Sequence, residues 1–85
     1  MSMEVEFSNP VVVEEGVAFR VQIMRGCQKI SQVVVATKSC LGVGDDAQGL
    51  ALLGAFARAS CTLRSEALKL FQATGPSTVI YLRKG

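Results

Sequence analysis

The chain has no histidine and no tryptophan, one tyrosine, two prolines and three cysteines among its 85 residues. Without histidine there is no imidazole to shuttle protons near neutral pH, so histidine-based triads and most metal sites are excluded. Cys27, Cys40 and Cys61 are odd in number and form no C-x-x-C, which leaves a disulfide framework or a zinc site without support. They are expected as reduced, buried thiols behaving as small hydrophobes. No run approaches the roughly 20 apolar residues that span a bilayer. The opening "MSMEVEF" is acidic and lacks the basic-then-apolar order of a signal peptide, so a cytoplasmic location is expected.

Charge is also scarce. Charged residues make up 19% of the chain against 49% hydrophobic, and the net charge is +2. That composition belongs to one folded domain rather than a disordered tail. A chain this short buries only about 60–65% of the surface its unfolded form exposes. It therefore either fills its core well or hides a face against a partner. The charges are unevenly placed: residues 1–19 carry Glu4, Glu6, Glu14 and Glu15 and no base, while all nine bases lie beyond, with Asp45, Asp46 and Glu66. Solvated strand faces account for this, as does electrostatic docking between copies.

Alternation of apolar and polar residues predicts strands at "MEVEF" and, after a kink at Asn9-Pro10, at "VVV", with a turn over Glu14 to Gly16. Val17, Phe19, Val21 and Ile23 point one way and Ala18, Arg20 and Gln22 the other, as in an antiparallel strand with one wet face. Gly26 to Gln28 reads as a hairpin turn. The returning strand is apolar on both faces at Val33 to Val35, which suits a central position. "KSCLGVGDD" is read as one short helical turn followed by a glycine loop. Asp45 or Asp46 is expected to cap a helix from Ala47 to about Ser60. A break near Ser60 to Thr62 then leads to a second helix with Leu63, Ala67, Leu70 and Phe71 on one stripe, stopped by Gly75 and Pro76. "STVIYLR" is a last strand, expected centrally in the sheet. The expected fold class is α+β: an antiparallel sheet of about four strands with two consecutive helices packed on one face, in the order β-β-β-α-α-β.

The stretch from Leu41 to Gly49 contains both G-x-G-x-x-A and G-x-x-x-x-G. Neither reads as a phosphate site. Leu50 and Ala51 stand where a P-loop needs Lys and Ser or Thr, no repeated βαβ plan surrounds the glycines, and Asp45 and Asp46 would repel an anion. Glu66 has the spacing of a ribose partner but falls in a helix. Cys40, beside a loop, is the one candidate nucleophile, and it lacks a histidine to activate it. No catalytic, cofactor or metal residues are assigned, and no enzyme activity is expected.

Two surfaces remain. From Ala47 to Ala57 there is no charge, and a helix apolar nearly all round is buried on more than one side. Leu50, Leu52, Leu53 and Phe56 are therefore the candidate interface, either internal or between two copies. Arg20, Arg25, Lys29 and Lys38 flank the strands as a candidate basic patch for nucleic acid, although Phe7, Phe19, Phe56 and Phe71 all fall on apolar stripes and offer no stacking platform.

The chain resembles a family of short bacterial proteins, the domain-of-unknown-function family fourteen-eighty-eight. The resemblance rests on Ala55-Phe56, then Leu63, Ala67 and Phe71 at the family's spacings, and on "VAFRV" with the Gly26 turn before a valine-rich strand. It covers about residues 5 to 82, with a slight departure between Phe19 and the Gly26 turn. It implies a compact α+β domain with no established activity. The combined expectation is a small interaction or regulatory module, homodimeric in one reading, with protein partners rather than a membrane or a metal. Nucleic-acid binding through the basic strands is the alternative.

Overall fold

A computed structural model describes residues 3–74 and 79–83. Strands β1 (Met3–Phe7), β2 (Val11–Val13), β3 (Gly16–Arg25) and β4 (Gln28–Thr37) precede a short helix α1 (Lys38–Leu41), a long helix α2 (Leu50–Thr74) and β5 (Ile80–Leu82). The class is α+β. The sheet, however, is mixed and five-stranded rather than wholly antiparallel and four-stranded: its order is β1-β3-β4-β5, with β2 also on β3.

The centre is the β3–β4 hairpin, paired from Gly16↔Thr37 to Arg25↔Gln28. It closes through Gly26-Cys27, where only Gly26 has a positive φ, +61°. A single left-handed residue at the first turn position is the II′ pattern, whose twist matches the strands. β1 and β2 lie end to end along the far edge of β3, so the predicted kinked strand is one edge interrupted by a bulge. Phe7 faces Val21 and Val11 faces Ala18, four steps on one side against three on the other. Ser8 bridges the break, its N–H donating to the Arg20 carbonyl at 2.9 Å while its Oγ accepts from the Arg20 N–H at 2.8 Å. One extra residue reverses the faces. Val5 and Phe7 point toward the helix, whereas Val11 points away from it.

β5 pairs with β4 in parallel, Val34↔Ile80 to Ala36↔Leu82, and forms an edge. Its expected central place is corrected: Ile80 and Leu82 are buried, while Val79 and Tyr81 on the other face stay exposed. Apolarity on both faces does not require pairing on both edges.

The break near Ser60 does not occur. Leu52, Phe56, Ala59, Leu63, Ala67 and Phe71 recur at steps of three or four along one helix of 25 residues, and all pack on the sheet. Ser, Cys and Thr each weaken a helix by well under 1 kcal/mol, too little to interrupt that stripe. Nor do Asp45 and Asp46 cap it. They sit in a separate turn, with the Ala47 N–H bonded to the Gly44 carbonyl, and α2 begins after Gly49, at φ +54°, with no acid in its first turn. Gly75 and Pro76, the expected helix stop, lie outside the described residues.

The core is a single layer of side chains between α2 and the inner sheet face. Val17, Phe19, Val21, Val34, Ala36, Ile80 and Leu82 meet Leu52, Phe56, Leu63, Ala67 and Phe71. The rings of Phe19 and Phe56 stand 5.3 Å apart, tilted, and Phe7 lies 6.3 Å from Phe19. Arg64 from α2 lays its guanidinium over Phe7, 5.2 Å from the ring centre. No helix among the described residues is long and apolar enough to cross a membrane.

Candidate functional site

The helix surface proposed from sequence divides. Leu52 and Phe56 are core residues, and Leu53 is half-buried. Leu50 alone stands out in solvent, 86% exposed at the first residue of α2. The sheet covers the Leu52–Phe56 side, and the opposite side carries Ala51, Ala57 and Cys61, all exposed.

The basic residues are not gathered. Arg20 and Lys29 project from the sheet face away from α2, which they share with Glu4 and Glu6, opposite Met24 and Gln22. Arg25 ends β3 on the opposite pleat, beside the hairpin turn. Lys38 opens α1, and its Nζ donates to the Asp45 carbonyl at 2.8 Å. Among the described residues, bases and acids therefore share one face, and a continuous positive surface for a phosphate backbone does not form.

That outer face has a different character nearer β5. The register places Val11, Ala18, Val35 and Tyr81 in one row across four strands. Val11, Val79 and Tyr81 are 60%, 48% and 41% exposed, and Val33 is half-buried beside them. Arg83 stacks its guanidinium 5.6 Å from the Tyr81 ring centre. Among the described residues no second layer covers this face. The sequence showed Val33–Val35 as apolar on both sides, but the bulge that turns Val11 outward has no local signal beyond Asn9-Pro10.

A second feature lies on the helix side. α1, the middle of α2 and the end of β5 enclose a cleft of about 420 Å³. Thr37 does not line it but ties two of its walls together. Its Oγ1 donates to the Leu82 carbonyl at 2.7 Å, accepts from the Cys40 N–H at 3.3 Å and lies 3.1 Å from the Ser39 Oγ. One hydroxyl thus caps α1 and ties it to β5, while Gly42, at φ +73°, ends the turn. Cys40, Thr62 and Glu66 reach the cleft from two elements. Burial, and then the Glu66 carboxylate, push the Cys40 thiol above its ordinary value. It is held protonated, the opposite of what a nucleophile needs.

Cys27 and Cys61 are exposed rather than buried, one in the hairpin turn and one on the outer side of α2. Among the described residues no group of three or more acids or cysteines could hold a metal ion. The glycine stretch forms the C-cap of α1 and the approach to α2, and the backbone of Asp45 receives Lys38. Compared with protein-family models, curated proteins and solved structures, the chain has no match.

Proposed function

We propose that this chain is a non-catalytic interaction module that pairs with a second copy through the outer face of its sheet. The carrying observation is the row Val11, Ala18, Val35 and Tyr81, continued by Val33 and Val79, in which Val11, Val79 and Tyr81 are exposed although Val35 is buried. A sheet of this length normally buries one face and wets the other. Here the part of that face beside β5 carries exposed Val11, Val79 and Tyr81, and contiguous apolar surface of that kind marks an association site. Glu4 and Glu6 on β1, Arg20 on β3 and Lys29 on β4 form a charged border to this patch. Such a border sets orientation more than strength. Small domains that expose a self-complementary patch close most simply as two-fold dimers.

The test is sedimentation equilibrium across micromolar to millimolar protein. A concentration-dependent dimer is expected, lost in the double variant Val11→Lys, Tyr81→Lys and kept in Leu50→Lys. A wild-type chain that stays monomeric throughout, or a dimer lost on Leu50→Lys but not on the double substitution, overturns this reading.

A further inference from the structure

We propose that the cleft between α1, α2 and β5 binds a small organic cation, an amine on a compact apolar body. Its volume, about 420 Å³, falls within the range of small-molecule sites. Its walls have the composition of such sites as well. Leu41, Ala59, Leu63 and Leu82 supply an apolar floor, and Ser39 and Thr62 supply hydroxyls at the rim. The charge balance selects the ligand. Arg83 borders the cleft, but its guanidinium is stacked on Tyr81, on the other face of β5. Glu66 is the carboxylate that remains, and among the described residues it has no ion-pair partner. Its negative charge is felt inside, since it acts on the Cys40 thiol. An anion would meet the Glu66 carboxylate while the Arg83 guanidinium is drawn aside onto Tyr81. An ammonium group would find that carboxylate with two hydroxyls nearby, and its apolar body would cover the leucines.

The site is held in shape by the Thr37 clasp rather than by the ligand, so the cleft is pre-formed. It lies across β5 from the sheet face described above, and the inference therefore stands independently of self-association.

The probe is phenethylamine, titrated into the full chain and followed by amide chemical shifts, with hydrocinnamate as an anion of similar size and shape. Saturable shifts at Cys40, Thr62, Glu66 and Leu82 are expected with the amine, and none with the acid. Glu66→Gln, an exposed position, should keep the fold and weaken the amine about three- to tenfold, the size of one partly screened charge-assisted contact. Ala59→Leu should fill the cleft and abolish binding while the remaining amide spectrum stays native. Equal binding of amine and acid, unchanged amine affinity in Glu66→Gln, or no shifts with amine at about 10 mM each overturns the proposal.

Discussion

Gln32 is the residue most at odds with its surroundings. It points from β4 into the core, 4% exposed, with neither amide atom hydrogen-bonded. An unpaired buried amide is destabilising by about 1–3 kcal/mol, so Gln32→Leu should raise the unfolding free energy by about 1–2 kcal/mol in a urea titration. A decrease would mean that the amide has a partner in solution. Gly16 gives the opposite expectation. A Cβ there would run into the Ala36 carbonyl oxygen on β4, and Gly16→Ala should lower stability by about 2 kcal/mol or more in the same titration. For Cys40 the pH dependence has a definite sign. Its folded-state pKa lies above the ordinary 9.0, so the unfolded chain gives up that proton first. The thiol's contribution to stability is whole below about pH 9 and declines as pH rises toward its folded value. Cys40→Ala should flatten that decline relative to wild type. At lower pH a disulfide reagent should modify Cys27 and Cys61 rapidly and Cys40 slowly.

At the scale of the elements, α2 carries the clearest expectation. Ser60→Pro would remove a backbone donor in mid-helix and should destabilise by about 3 kcal/mol or more, whereas a break at that point would tolerate it. Gly54, within α2, has room for a methyl group, with only the Arg58 side chain near at 3.6 Å. Gly54→Ala should therefore stabilise by about 0.5–1 kcal/mol in thermal or urea unfolding. These elements also show what could be read beforehand. The hairpin was legible because β3 alternates cleanly and Gly26 marks the only turn that fits between two valine-rich runs. The short turn at Lys38 and the kinked first strand were legible too. The length of α2 was not. Ser60, Cys61 and Thr62 resemble a cap by local preference, while the stripe that overrides them emerges only when Phe56, Ala59 and Leu63 are read together. Partner choice at edges was likewise hidden. "VIYL" is consistent with a centre or an edge, and only pairing decides that its outward residues stay in water. The cleft had no signal at all, since Thr37, Cys40, Glu66 and Leu82 are brought together by the crossover and not by any spacing.

For the whole molecule, that crossover has a consequence for how the chain folds. The β3–β4 hairpin needs only a two-residue turn, and β1 and β2 add to it from next door, so this part assembles from contacts close in sequence. The other edge of β4, at Val34 to Ala36, has to wait for β5, which arrives only after α1, the glycine loop and all of α2. Until then the half-assembled sheet carries an open valine edge able to pair with the same edge of another molecule. The chain should therefore refold cleanly when dilute and lose yield steeply as concentration rises, and the loss should be set by how soon the last strand docks rather than by how stable the finished sheet is.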